Sequence, residues 1–140
     1  MRRIWADLPN RSPGIYAITS AISGESYVGA TLQIRDRIAR HFGRLERGRH
    51  YNKRMQEQYN AHGIEIFSVR VLELCSLRTP TWDGSDDWWE RSQLAEARRY
   101  DWLREREAFH MAALAPVFNV LRAPEPVAVR LYEHWHNQGF

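Results

Sequence analysis

The chain has 140 residues, of which 44% are hydrophobic and 26% charged, with a formal net charge of +3 at pH 7. That length suits one domain with a real core, and no apolar run approaches the ~20 residues that a membrane span requires. The single cysteine, Cys75, excludes an internal disulfide and suits a reducing compartment.

Asp7, Pro9 and Asn10 interrupt the start of the chain, so no secretory signal is expected there. Residues 14–20 are β-branched and aromatic and read as a strand. Ser23-Gly24 marks a turn, and residues 26–31 read as the returning strand of a hairpin whose register the sequence leaves open. Residues 33–47 read as a helix, because Ile34, Ile38, Phe42 and Leu45 recur at helical spacing and Gly48 follows as a stop. A second, polar helix is predicted over 51–62, ending at Gly63. Residues 64–75 look like a third strand with imperfect alternation, and Cys75 reads as its buried end. Pro80 and Gly84 place a loop over 76–86. A long helix then runs from about Asp87 to Ala115 and is stopped by Pro116. Residues 118–120 read as a short extended piece. Pro124 and Pro126 mark a boundary before a small terminal helix over 127–137.

Nineteen of the 20 basic residues are arginine, a bias that a GC-rich coding sequence produces, so residue type alone selects none of them as a phosphate ligand. Position is more informative. Eight bases and two acids lie between Arg35 and Arg54, whereas eight acids and five bases lie between Asp83 and Glu107. The first stretch favours a polyanionic partner, and its candidate contacts are Arg40, Arg44, Arg47, Arg49, Lys53 and Arg54. At ~100° per residue, Arg37, Arg40, His41 and Arg44 fall beside the apolar stripe of the first helix. Such a face is either solvated or built for phosphate, which the planar guanidinium fork matches.

On the long helix, Leu103, Met111 and Leu114 recur around Glu107, which therefore occupies a position where an apolar residue is expected. It is either an edge carboxylate or one that faces a cavity and holds a hard cation such as Mg2+. Trp82, Trp88, Trp89 and Trp102 are expected in the core. His50, His62, His110, His134 and His136 lack a zinc-ligand spacing and are not assigned a site.

Gly14-Ile15-Tyr16 and Tyr27-Val28-Gly29, with a turn between them, resemble the two name-giving triplets of the GIY-YIG nuclease superfamily. Arg37-Ile38-Ala39-Arg40-His41-Phe42 resembles the family's first helix. Glu107-Ala108-Phe109-His110-Met111 and Pro116-Val117-Phe118-Asn119-Val120 resemble its metal-binding helix and terminal Asn. The resemblance implies an α/β (α+β) fold, a three-stranded antiparallel sheet flanked by helices, over residues 1–121, with an insertion at about 76–100 and a tail over 122–140. It implies hydrolysis of DNA phosphodiesters with one Mg2+ or Mn2+ ion per site. Tyr16 and Tyr27 would position or deprotonate the attacking water. Arg37 would hold the phosphate, His41 would support Tyr16 or relay a proton, Glu107 would bind the metal, and Asn119 would order the site's edge. A free-standing phage or mobile-element enzyme is expected, in the cytoplasm of a bacterial or phage-infected cell. The alternative is a non-cutting nucleic-acid-binding or regulatory domain. The acidic, Trp-rich insertion is expected to pack over the sheet, to join two copies of the chain or to bind a protein partner.

Overall fold

The computed structural model describes residues 4–10 and 13–114; the remainder, with Asn119 and the expected terminal helix, lies outside the described residues. Three strands, β1 (Gly14–Ser20), β2 (Ser26–Thr31) and β3 (Phe67–Leu74), form one sheet in the order β2-β1-β3. Both pairings are antiparallel, with Tyr16 opposite Gly29 and Ile18 opposite Tyr27 across the hairpin. The expected hairpin and the fold class are therefore those observed. Gly24 supplies the positive φ of the turn, at 73°.

Helices α1 (Ile34–Glu46) and α2 (Lys53–His62) lie against one face of the sheet, and α3 (Trp88–Leu114) lies against the other. The predicted stripe of α1 is realised: Ile34, Ile38, Phe42 and Leu45 are buried and meet Tyr16, Ile18, Met55 and Phe67. On the opposite face Ile15, Ala17 and Val28 pack with Leu103, the one fully buried side chain of α3. The two faces follow directly from the strand period of two, since Ile15 and Ala17 alternate with Tyr16 and Ile18.

The caps explain why the helices stand where they do. The first turn of α1 lacks a side-chain cap from Gln33. Its amides are instead met by the upstream segment, with Arg35 N–H donating to the Pro9 carbonyl at 3.2 Å and Asp36 N–H to Asn10 Oδ1 at 3.0 Å. That segment is further held by Trp5, buried and stacked on Phe42 with ring centroids 5.4 Å apart. At the other end Gly48 takes a φ of 70°, its N–H donates to the Leu45 carbonyl, and Arg49 N–H donates to the Arg44 carbonyl. This is a Schellman closure. The chain is thus turned sharply into α2, whose start is fixed by the Asn52 side chain accepting from Met55 N–H at 3.1 Å.

Three expectations are corrected. Strand β3 begins at Phe67, because Ile64–Ile66 form a 3-10 turn after Gly63, whose φ is 77°. Trp82 and Trp89 are not core residues; they are 70% and 63% exposed. The stripe of α3 also ends early, with Leu114 exposed beyond a half-buried Met111. Cys75 is buried and free at the end of β3, as expected. Among the described residues no helix is long and apolar enough to cross a membrane.

Candidate active site

The site is built around Tyr16, fully buried on the central strand. Its ring lies across Gly29 on the neighbouring strand, where a Cβ would come within 2.5 Å of the Tyr16 Cζ. Gly14 is equally constrained: a Cβ there would meet Ile34 Cδ1 at 2.6 Å and the Glu73 carbonyl oxygen at 2.7 Å. Both triplets therefore end or begin in glycine because other groups occupy the space. The ring of Tyr27 lies 6.3 Å from that of Tyr16 and 4.9 Å, edge-on, from His41.

Helix α1 delivers Arg37 and His41, one turn apart and both buried. Tyr16 Oη and His41 Nε2 are hydrogen-bonded at 2.8 Å, and His41 Nδ1 meets His50 Nε2, also at 2.8 Å. The direction of this chain of bonds follows from its far end. Asn52 N–H donates to His50 Nδ1 at 3.0 Å, and a backbone amide can only donate. His50 Nδ1 is therefore bare and its proton sits on Nε2, which donates to His41 Nδ1. The His41 proton then sits on Nε2 and is donated to Tyr16 Oη. His50 stays neutral in this arrangement, since burial, followed by the charges of Arg44 and Arg37, pushes its pKa down to about 4. Tyr16 accepts from His41 and keeps its own hydroxyl proton free to point elsewhere. Burial and then Tyr27 raise the Tyr16 pKa, against the pull of Arg37, so the phenol is protonated at rest.

Arg37 supplies the positive charge. Burial alone would lower its pKa, but the nearby oxygens of Tyr16, Tyr51 and Tyr27 more than offset that, and the guanidinium is always charged. Its Nε and Nη1 atoms are buried without a hydrogen-bond partner. A buried charge with open donors is strongly disfavoured unless an anion completes it. Glu107 reaches the same centre from α3: it is half-buried, and its charge is felt at the Tyr16 phenol. Five of the six expected catalytic residues are thus brought together, and the sixth, Asn119, lies outside the described residues.

The expected phosphate contacts divide. Arg40 has a buried Nη1 without a partner beside Arg37, and the charge of Arg44 reaches His50, so both border the site. Arg47, Arg49 and Lys53 are exposed around the α1–α2 connection. Arg54 is committed elsewhere: its guanidinium forms a two-pronged pair with the buried carboxylate of Glu25, on the hairpin. The residues that sequence reasoning passed over are His50 and Tyr51. Tyr27 Oη and Tyr51 Oη are hydrogen-bonded, and the Tyr51 ring stacks on His50. The one sequence signal for either was two aromatic side chains just before a capping Asn.

The GIY-YIG catalytic domain family matches residues 12–80. The chain carries a GIY-YIG domain. Intron-associated endonuclease 1 of Enterobacteria phage T4 is 37% identical over 60 residues, which amount to 43% of this chain and 24% of that protein. The chain thus spans about a quarter of that relative's length. A Glu-to-Ala mutant of the catalytic domain of intron endonuclease I-TevI is similar in structure, with 26% identity and a TM-score of 0.54, covering 74% of this chain and 84% of that one. The catalytic domain of homing endonuclease I-TevI follows, with 26% identity and a TM-score of 0.50, covering 74% and 88%. The GIY-YIG family match ends before α3 and does not include Glu107.

Proposed function

We propose that this GIY-YIG domain hydrolyses phosphodiester bonds in DNA. The observation that carries the reading is Arg37, a buried guanidinium with two open donors set among Tyr16, Tyr27 and His41. A phosphodiester is the anion such a fork accepts, and the GIY-YIG membership and the endonuclease relatives support DNA as its source.

The phosphate would lie against Arg37, which stabilises the charge that builds on its oxygens. Tyr16, held by the bond from His41, would direct its free hydroxyl proton at the attacking water or a phosphate oxygen. The direction of that bond favours His41 as the group that orients Tyr16 over one that takes its proton. Tyr27 would hold the water from the other side. As for a metal, no group of three or more metal-ligating side chains occurs among the described residues. A single half-buried carboxylate, Glu107, suits a hard cation that keeps most of its waters, so Mg2+ or Mn2+ fits and a fully caged transition metal does not. Held by Glu107, one such ion would stabilise charge on the phosphate and acidify the attacking water. A one-metal reaction, Asn119 at the edge of the site, and contacts from Arg40, Arg44, Arg47, Arg49 and Lys53 to flanking phosphates complete the reading. The phage origin of the sequence relative supports an enzyme of phage or mobile-element type, acting in the cytoplasm of the infected or carrying cell. The exposed Trp82 and Trp89 support contact with a second copy or a protein partner through the 76–100 stretch.

Supercoiled plasmid incubated with Mg2+, with EDTA and with the Glu107→Ala variant tests this. Nicking or linearisation that needs Mg2+ and falls at least ~100-fold in the variant is expected. Unchanged cleavage by Glu107→Ala would sink the metal assignment. Tight DNA binding without cleavage by folded wild-type protein would replace the nuclease with a non-cutting binding domain.

A further inference from the structure

We infer that Tyr51 is a positioning residue for Tyr27, fixing the direction of its hydroxyl in the active site. The inference rests on the nuclease reading for its meaning, and on the loop between α1 and α2 for its evidence.

Tyr27 and Tyr51 share a hydrogen bond between their hydroxyls at 2.5 Å. Tyr51 as a residue remains 45% exposed, yet its hydroxyl lies where burial pushes its pKa up. A half-exposed tyrosine gains most by offering its hydroxyl to water. Here the hydroxyl is turned inward, and the ring is held to make that possible. It stacks on His50 with centroids 4.6 Å apart and planes 24° from parallel. His50 is itself anchored on both sides, by Asn52 N–H at its Nδ1 and by its own N–H donating to Gln56 Oε1 at 3.0 Å. The backbone on either side is pinned by the Gly48 closure and the Asn52 cap. Tyr51 therefore hangs from a rigid loop.

Tyr27 needs such a partner. Its ring is located by Tyr16 and by His41, but ring contacts leave the hydroxyl proton free to rotate. The bond to Tyr51 restricts that rotation, either by accepting the Tyr27 O–H or by occupying one of its oxygen lone pairs, as the bond from His41 occupies a lone pair of Tyr16. The two hairpin tyrosines are thereby oriented by one short loop: His50 acts on Tyr16 through His41, and Tyr51 acts on Tyr27 directly. Arg37 lies close to all three phenols, so the orientation of each affects where its open donors find an anion.

Tyr51→Phe deletes the hydroxyl and keeps the stacked ring. The expected result is a roughly tenfold fall in kcat for DNA cleavage, about what one oriented hydrogen bond supplies, with unchanged KM and unfolding midpoint. In a Tyr27→Phe background the same substitution should have no further effect, since its action passes through the Tyr27 hydroxyl. Wild-type kcat in Tyr51→Phe, or an equal loss in both backgrounds, would overturn the inference. A DNA-free readout separates this from the nuclease reading. In protein labelled with 13C at tyrosine Cζ, the Tyr27 resonance should move on Tyr51→Phe even if wild type cuts no DNA. A Tyr27 resonance that stays in place overturns the inference whatever the plasmid assay shows.

Discussion

His50 is the residue on which the polarity of the site depends. Only a neutral His50 can accept from Asn52 N–H at Nδ1 while donating from Nε2. Its folded pKa of about 4 lies below the ordinary value of 6.5, so the unfolded chain binds a proton that the folded one refuses. Stability from this group is therefore complete above pH 6.5 and is lost as pH falls toward 4, by about 3 kcal/mol. Equilibrium unfolding across that window should show the decline, and His50→Gln should flatten it. A wild-type profile flat between pH 6.5 and 4.5 would refute the assignment, because the carboxyls of Glu25 and Glu73, held below the ordinary carboxylate value by the hydrogen bonds of Arg54 and of His110, lose their stabilisation below that window. Gly29 gives a second test at this scale. The Cβ of Gly29→Ala would push into the Tyr16 ring, which is locked by His41, and such overpacking typically destabilises by about 1–3 kcal/mol. Cleavage should fall further than stability, and a fully active Gly29→Ala would show that Tyr16 can move without consequence. The triplets were legible in the sequence because they resemble a family signature, and Gly14 and Gly29 stand where a Cβ has no space. His50 was not, since its role comes from an amide two residues away and a ring on another turn.

At the scale of elements, the basic surface separates into working and structural charges. Arg40 and Arg44 project from α1 beside Arg37, whereas Arg54 on α2 clamps the hairpin through Glu25. Replacing Arg40 or Arg44 by Ala should lower DNA affinity several-fold and reduce the salt dependence of binding by about one phosphate contact each. Arg54→Ala should instead lower the melting temperature, because the buried Glu25 loses its partner, with the salt slope unchanged. Equal salt slopes for all three variants would contradict the division. The sequence placed all three in one basic run and could not separate them, since Glu25 lies 29 residues away on the hairpin. The helix stripe of α1 was legible because it depends on spacing alone. The start of β3 was not: Ile64-Glu65-Ile66 has strand composition, and the turn at Gly63 decides its conformation.

Across the whole molecule, the difficulty is to bring a carboxylate from α3 to tyrosines that face the other helix layer. The imperfect alternation of β3 is part of the answer. Its pairing with β1 jumps from Glu73 opposite Ile15 to Val71 opposite Tyr16, so Leu72 is the extra residue of a bulge. In a regular strand Glu73 would follow Val71 to the α1 side. The bulge turns it to the α3 side, where one oxygen accepts from Arg106 Nε at 2.7 Å and from His110 Nε2 at 2.9 Å. These two residues flank Glu107 on the same turn. Leu103 is the only fully buried side chain of α3, with Tyr100, Trp102 and Met111 partly buried around it, and the Glu73 cluster adds a directional restraint. Glu73→Ala should therefore loosen the Glu107 turn. The Mg2+ concentration for half-maximal cleavage should rise several-fold, on the order of the effect of groups that orient a metal ligand. Metal-free DNA affinity should hold, since Arg37, Arg40 and Arg44 sit on the opposite layer. Faster amide exchange around Glu107, with α1 unchanged, would mark the same loosening without any metal. Unaltered exchange and Mg2+ dependence would mean that α3 is fixed by Leu103 and its neighbours alone.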